Sequence, residues 1–137
     1  MGIMVTGQMF AKICARAGLS VFGYTEYPSL IRGGHNTYHA RVSDLPFYAQ
    51  KFTSDLLVAL NKETINLHKG EVVPGGGILY DSTNFTFDND DIQRPDVILL
   101  PIPLTKLAND AGGGQQMINT VAVGASFGMV DLDFETI

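Results

Sequence analysis

Apolar residues follow a helical spacing in some stretches of this chain and a strand-like spacing in others. The first stretch predicts a helix over residues 3–17, because its apolar positions recur at i, i+3, i+4 and i+7. These positions are Phe10, Ile13, Cys14 and Ala17, with Thr6 on the same face. Gly18 follows, and helices commonly end at a glycine. We therefore expect the helix to stop there.

Five runs rich in β-branched, aromatic or aliphatic residues predict strands. They cover residues 19–27, 35–43, 55–60, 78–81 and 97–100. Runs 55–60 and 97–100 are almost continuously apolar, which is typical of parallel strands buried on both faces. Prolines and glycines separate the runs, with a break at Pro28 and turns at residues 44–46 and 74–77.

Three further helices are predicted. They are a short helix that ends at His68, residues 105–110 and residues 115–129. Asn61 is placed to cap the short helix with its side-chain oxygen. Pro101 and Pro103 are expected to close the last strand, and residues 82–95 are expected to form an irregular polar loop. Because helices and buried strands alternate, we predict an α/β fold, a three-layer α/β/α domain with a mostly parallel sheet, as a single domain over residues 1–137.

Composition narrows the class of protein further. The 137 residues are 45% hydrophobic and 17% charged, which is too apolar for a disordered chain. The net charge is −5 and there is no basic stripe, which argues against nucleic-acid binding. No run reaches the roughly 18 apolar residues of a membrane helix, and the start lacks a signal-like region. We therefore expect a cytoplasmic protein that binds neither nucleic acid nor membrane.

Cys14 is the single cysteine, which excludes an intrachain disulfide and a multi-cysteine zinc or iron–sulfur site within this sequence. One unpaired thiol fits a reducing compartment. His35 and His39 are placed to share one face of a strand. No third ligand lies near them in the sequence, so no metal site is predicted. No Ser/His/Asp set or paired carboxylates stand out, so no catalytic residue is assigned.

The densest cluster of chemically distinctive residues lies at positions 24–38. Arg32 offers a guanidinium fork to carboxylates or phosphates, and Gly33 and Gly34 allow backbone N–H groups to approach an anion or another chain. Short polar side chains complete the cluster: Ser29, His35 and Asn36. The cluster is expected to follow the carboxyl end of a buried strand, where open α/β sheets bind ligands. The alternative is a tight strand-to-strand turn whose arginine holds a neighbouring loop or subunit.

A second candidate is the glycine run before the last helix. The backbone N–H groups of Gly112, Gly113 and Gly114 could form an anion-binding nest at a helix N-terminus. The run matches neither the dinucleotide-binding fingerprint nor a P-loop. A flexible connector is therefore the alternative.

The arginine-glycine cluster also carries a family resemblance. At residues 27–38 (Tyr-Pro-Ser-Leu-Ile-Arg-Gly-Gly-His-Asn-Thr-Tyr) and 41–43 (Arg-Val-Ser), the sequence resembles the gamma domain of 2-oxoacid:ferredoxin oxidoreductases. It is most similar to the form fused at the front of the alpha subunit of 2-oxoglutarate-type enzymes. Three other segments agree, namely the strand at 55–60, the proline-glycine step at 74–78 and the helix at 119–125 (Asn-Thr-Val-Ala-Val-Gly-Ala).

The resemblance implies membership of a complex that oxidatively decarboxylates a 2-oxoacid to acyl-CoA and passes electrons to ferredoxin. It implies that thiamine diphosphate, magnesium, iron–sulfur clusters and coenzyme A belong to the complex, with no cofactor in this chain. The expected role is a non-catalytic scaffold and interface near the active site, and the chain alone is expected to be inactive. Two alternatives stay open: a binding module for coenzyme A or another anionic cofactor of the same complex, and a free-standing α/β enzyme.

The chain also departs from the family pattern at both ends. Family members begin with a strand and a glycine-rich turn of the form G-x-G-G-Q-G-I, of which Gly2 and Ile3 correspond to the last two residues. The family domain also continues beyond a position like Ile137. We therefore expect an incomplete domain whose first strand is missing, and whose isolated form is marginally stable or aggregates.

Overall fold

A computed structural model describes residues 2–27 and 34–130 of the chain. It divides into two compact units, one formed by residues 1–51 and 123–137 and the other by residues 52–122. In the residues described, no helix is both long enough and apolar enough to pass through a bilayer.

The first unit packs a helix against a two-stranded antiparallel sheet. Helix α1 covers Gly2–Arg16, strand β1 Ser20–Glu26 and strand β2 Thr37–Ser43, with Ser20 opposite Ser43 and Glu26 opposite Thr37. Its buried residues are Cys14, Val123 and Phe127, packed against Met9, Phe10, Ile13, Leu19, Val21 and Val42. The helical face predicted from the sequence is therefore the buried face of α1. Gly18 takes a φ of +84° after the helix, which confirms the predicted stop.

Two glycines let the ring of Tyr38 pack closely within this unit. A Cβ atom on Gly7 would lie 2.2 Å from Cδ1 of Tyr38, and one on Gly23 would lie 2.2 Å from the phenol oxygen of the same side chain. Neither position has room for a side chain. The contact joins α1 to β2 across the face of the sheet.

The second unit is built on a three-stranded parallel sheet of order β3-β4-β5. Its strands are β3, Ser54–Ala59, β4, Val72–Asp81, and β5, Ile98–Ile102. Helix α2 covers Lys62–His68 and leads through a 3₁₀ turn, Lys69–Glu71, into β4. The other helices are α3, Asn89–Ile92, α4, Leu104–Asp110, and α5, Gly114–Met129, whose residues from Val123 onward belong to the first unit.

The core of the second unit lies mainly on and around β4. One cluster of buried residues in this core consists of Ala59, Ile65, Val72, Ile78, Tyr80, Ile92 and Val97. Phe85 stacks on Tyr80 at a centroid distance of 5.6 Å, and Phe87 meets the same ring edge-on at 5.7 Å. Asn61 caps α2 as predicted, since its side-chain oxygen accepts from the backbone N–H of Thr64 at 2.9 Å.

Two predicted breaks in the sheet are wrong. The Pro74–Gly77 run is not a turn but lies inside β4, where the pairing with β3 shifts register between Ser54 and Leu56. The glycines suit this irregularity, because a Cβ atom on Gly76 would lie 2.9 Å from the carbonyl oxygen of Asp55. Pro101 likewise does not close the last strand, since β5 runs through it and ends at Ile102, directly before Pro103. As an outer strand among the described residues, β5 tolerates a proline that cannot donate to the ladder.

Two further predictions need correction. The stretch 82–95 is not wholly irregular, because it contains α3. A capping box between Asp88 and Asp91 caps the N-terminus of this helix. Run 97–100 is not buried on both faces, because the side chain of Ile98 is 56% exposed. The outer position of β5 in the described sheet explains this exposure.

Candidate functional site

The predicted arginine-glycine cluster lies in the ten-residue connection, 27–36, between β1 and β2. Ser29, Arg32 and Gly33 fall outside the described residues. Gly34 and His35 are half-buried and Asn36 is exposed, directly before β2 begins.

One premise of this prediction is wrong. Within the described residues, strand β1 pairs antiparallel with β2 and lies outside the parallel sheet. The cluster therefore connects two antiparallel strands, as the strand-to-strand alternative stated, instead of following the carboxyl end of a parallel strand. Apolar runs show that a strand is buried but do not show which strand it pairs with. This explains the error.

Four side chains at the end of the β1–β2 pair where the 27–36 connection joins the strands define a cluster that we call the hairpin base: Tyr24, Glu26, Thr37 and His39. The imidazole of His39 stacks on the phenol ring of Tyr24, with centroids 4.6 Å apart and planes 7° apart. Its Nε2 atom lies 3.2 Å from the hydroxyl oxygen of Thr37 and 3.8 Å from a carboxylate oxygen of Glu26. The strands on both sides of the 27–36 connection are therefore tied together by side chains where it leaves them.

The hairpin base does not form a metal site by itself. In the described parts of the chain, no three His, Cys, Asp or Glu side chains come together as ligands. His39 contacts a hydroxyl, a carboxylate and an aromatic ring, which orient the imidazole. These contacts hold the ends of β1 and β2 together.

The carboxyl edge of the parallel sheet holds a polar cluster that sequence reasoning missed. Asp81 ends β4 and is 3% exposed. One carboxylate oxygen accepts from the hydroxyl of Thr105 at 2.5 Å and from the side-chain amide of Asn84 at 3.1 Å. The other accepts from the backbone N–H groups of Thr83 at 3.0 Å and Thr105 at 3.4 Å. The signal in the sequence was Asp-Ser-Thr-Asn directly after a strand, since such residues commonly bond to the backbone of turns.

Two opposing effects act on this carboxylate. Burial alone would raise the pKa of Asp81, but the hydrogen bonds from Thr105 and Thr83 outweigh it and hold the pKa below the ordinary value of an aspartate. The group is therefore ionised at neutral pH and ties the end of β4 to the start of α4. Its hydrogen-bonding capacity is used within the protein, which indicates a structural role.

The second predicted candidate, Gly112 to Gly114, lies between α4 and α5. The backbone N–H of Gly112 donates to the carbonyl of Asn109 at 2.9 Å, and that of Gly113 donates to the carbonyl of Ala108 at 3.1 Å. These two groups therefore close the end of α4. Gly114, with a φ of +56°, begins α5, and an anion nest at this position stays a prediction.

Cys14 lies on the buried face of α1 with no solvent exposure. Burial raises the pKa of its thiol, so the thiolate that reacts with oxidants or binds metals is disfavoured at neutral pH. A buried, protonated cysteine in an apolar cluster acts as a small core residue.

Comparison with known proteins identifies the class to which this fold belongs. The sequence profile of the pyruvate ferredoxin/flavodoxin oxidoreductase family matches residues 1–137. The chain therefore belongs to this family. It is 36% identical, over 92 residues and 67% of its length, to the alpha subunit of 2-oxoacid:ferredoxin oxidoreductase 2 from Aeropyrum pernix. The resemblance found in the sequence is confirmed.

Solved structures agree with the family. The chain is similar to the 2-oxoglutarate:ferredoxin oxidoreductase from Magnetococcus marinus, with a TM-score of 0.83 and 32% identity over 98% of this chain. That enzyme was solved with 2-oxoglutarate, coenzyme A and succinyl-CoA bound. The gamma subunit of the keto/oxoacid ferredoxin oxidoreductase from Geobacter sulfurreducens has a TM-score of 0.71 at 20% identity, with 96% of this chain and 73% of that chain covered. The predicted α/β class, of the three-layer gamma-domain type, is thus confirmed.

The chain is much shorter than the Aeropyrum and Magnetococcus proteins. It spans 14% of the Aeropyrum subunit and 23% of the Magnetococcus chain. Most of each of those proteins therefore lies outside the region matched here.

Proposed function

We propose that this chain is a non-catalytic domain or subunit of a 2-oxoacid:ferredoxin oxidoreductase. The whole assembly would oxidatively decarboxylate a 2-oxoacid to its acyl-CoA and reduce ferredoxin, in the cytoplasm and without binding nucleic acid or membrane. The observation that carries the proposal is the similarity to the Magnetococcus enzyme over 98% of this chain, with a TM-score of 0.83.

The role of this chain is a scaffold and interface near the active site. The 27–36 connection, which holds Arg32, would face the neighbouring domains. The hairpin base supports this proposal, because stacking of Tyr24 on His39 and the Thr37 contact order the residues from which the connection leaves the sheet.

The cofactors of the assembly would belong to its other domains. Iron–sulfur clusters need several thiolate ligands, and Cys14 is the single cysteine of this sequence. Its sulfur is fully buried within an apolar cluster. Thiamine diphosphate, magnesium and coenzyme A are proposed to bind in the same assembly.

Purification of the natural assembly tests this proposal. A tag on this chain should recover the remaining oxidoreductase domains or subunits, identified by mass spectrometry. The purified material should reduce a viologen dye anaerobically when supplied with a 2-oxoacid and coenzyme A, and comparing pyruvate with 2-oxoglutarate would show which acid it uses. Recovery of this chain without any oxidoreductase component would contradict the proposal.

A second candidate function is a binding module for coenzyme A or another anionic cofactor of the same complex. Coenzyme A bound to the Magnetococcus enzyme favours it. If Arg32 binds the anionic groups of that ligand, Arg32→Ala should weaken coenzyme A binding by the assembly roughly tenfold or more, because hydrogen bonds to charged groups contribute about 1.5–3 kcal/mol. Calorimetric titration of the assembly with coenzyme A measures this.

The matched control is Arg16→Ala, at the exposed end of α1. A normal dissociation constant for coenzyme A together with a less stable assembly would favour the interface role of Arg32. Unchanged affinity and unchanged stability would contradict both roles for this residue.

A further inference from the structure

Residues 44–50, which we call the 44–50 loop, follow β2 and lie within the first unit. Two large apolar or aromatic side chains of this loop are directed into solvent. The side chain of Tyr48 is 95% exposed and that of Leu45 is 68% exposed, with exposed Pro46 between them. Single exposed hydrophobic residues are common on protein surfaces, but a group of them on one short segment marks a contact surface.

The loop is held in place by its neighbours in β2. Arg41 donates from Nη1 to the carbonyl oxygen of Ala49 at 2.5 Å, and its guanidinium lies 4.2 Å above the ring of Phe47. The backbone N–H of Leu45 donates to the hydroxyl of Ser43 at 3.1 Å. Both ends of the loop are therefore fixed to the sheet, while Tyr48 lies between the two contacts of Arg41.

A loop that is fixed to the sheet and exposes apolar side chains is unfavourable in water unless a partner covers it. The hydrogen bond to Ala49 and the cation–π contact with Phe47 fix the residues on either side of Tyr48, whose own side chain lies in solvent. Anchoring of the residues on either side of Tyr48 lowers the backbone freedom that is lost when a partner covers the loop. Tyrosine is also enriched among the residues that dominate the energy of protein interfaces.

We propose that the 44–50 loop is a docking surface for another domain of the oxidoreductase assembly, which receives Tyr48 in an apolar pocket with a hydrogen-bond acceptor for its hydroxyl. The inference rests on the proposed function. We infer this partner because the chain spans 14% of the Aeropyrum subunit and 23% of the Magnetococcus chain. Most of each of those proteins lies outside the matched region, and a corresponding domain could cover the 44–50 loop. A second copy of this chain is the competing occupant.

Photo-crosslinking in the natural assembly identifies the occupant directly. Tyr48 is replaced by p-benzoylphenylalanine in the full natural protein, the purified assembly is irradiated, and the crosslinked peptides are sequenced by mass spectrometry. The expected product joins position 48 to a peptide from the oxidoreductase outside residues 1–137. A crosslink to a second copy of residues 1–137, or no protein crosslink, would overturn the inference.

A double variant, Leu45→Ser with Tyr48→Ser, tests the energetic importance of the loop. We expect the melting temperature of the assembly to fall by several degrees, because the partner loses its contact with the folded domain. The matched control is Leu67→Ser on α2, where the leucine side chain is 55% exposed. That control should leave the melting temperature within about one degree of the unmodified assembly.

The outcomes separate this inference from the proposed function. If the unmodified chain assembles with oxidoreductase components and the double variant melts like the Leu67→Ser control, the docking surface is wrong and the proposed function stands. If the unmodified chain never assembles with those components, both are wrong.

Discussion

Asp81 is nearly inaccessible to solvent, yet its carboxylate oxygens receive four hydrogen bonds. An ionised carboxylate is costly to bury unless such donors replace water. The donors come from Thr83 and Asn84, directly after β4, and from Thr105 in the first turn of α4. At the scale of single residues, the connection between the sheet and α4 therefore depends on the charge of one aspartate and the donors around it.

Removing one donor should destabilise this connection. In Thr105→Val the hydroxyl is replaced by a methyl group of similar size, so the buried carboxylate loses its shortest hydrogen bond. We expect the free energy of unfolding to fall by about 1–3 kcal/mol, measured by urea denaturation. Thr53→Val, at an exposed position before β3, is the matched control and should change the same quantity by less than about 0.5 kcal/mol. Equal effects of both substitutions would contradict the role assigned to Thr105.

The same carboxylate predicts how stability depends on pH. The pKa of Asp81 is lowered in the folded protein, so between the folded and unfolded pKa values the unfolded chain binds more protons. Its contribution to stability is therefore complete above the ordinary aspartate pKa of about 4 and is lost as the pH falls through the lower folded value. In Asp81→Asn, unfolding monitored by circular dichroism should show lower stability at neutral pH and a weaker decline below about pH 4.

The control for this pH experiment is Asp110→Asn, at an exposed carboxylate at the end of α4. It should decline with falling pH in parallel with the unmodified protein. A steep acid decline that persists in Asp81→Asn would show that other carboxylates are responsible.

Structural features that are determined by residues close in the sequence, such as helix ends and caps, were predicted correctly. Gly18 ends α1 and Asn61 caps α2, because both act within a few residues of their own position. Strand pairing and register, which depend on residues distant in the sequence, were predicted less well. The glycines of β4 were mistaken for a turn, since their use becomes clear only where the backbone of β3 lies close to Gly76. For the same reason, local pattern could not show that β1 pairs with β2 and not with the parallel strands.

The packing of α1 on β2 gives a prediction at the scale of elements. A methyl group in Gly7→Ala would lie 2.4 Å from Cγ of Tyr38 and 2.8 Å from its Cβ, which are near the root of the side chain and cannot swing away. We expect the free energy of unfolding to fall by about 1–3 kcal/mol, as for other overpacked sites.

Gly124→Ala is the matched control for this substitution. Gly124 is exposed in α5 and an added Cβ would meet no other atom within 4 Å. Alanine there should raise the free energy of unfolding by about 0.5–1 kcal/mol through its higher helix propensity. If the Tyr38 contact governs the α1–β2 packing, chemical denaturation should show a lower free energy of unfolding for Gly7→Ala and a higher one for Gly124→Ala. A stabilising Gly7→Ala would contradict it.

At the scale of the whole molecule, the family was predicted from segments spread over the chain. The role of Arg32 and its neighbours stays a prediction, and the contacts within the hairpin base were not predicted. The stacking of Tyr24 on His39 arises from cross-strand register, which pairs positions fifteen residues apart in the sequence. Exposure of Tyr48 was not predicted either, because local sequence does not show which residues of a loop contact Arg41 and which lie in solvent.

The proposal that the cofactors bind in other domains of the assembly predicts that this chain alone is inactive. Residues 1–137 alone should not reduce a viologen dye with any 2-oxoacid, even when thiamine diphosphate, magnesium and coenzyme A are added. Electron transfer through an iron–sulfur cluster needs about four thiolate ligands, whereas this sequence supplies Cys14, whose thiol is fully buried and whose pKa is raised by that burial. The measurement is the anaerobic rise in dye absorbance, with the natural assembly as the positive control. A rate that increases in proportion to the concentration of the purified chain would show that this chain itself holds a catalytic centre.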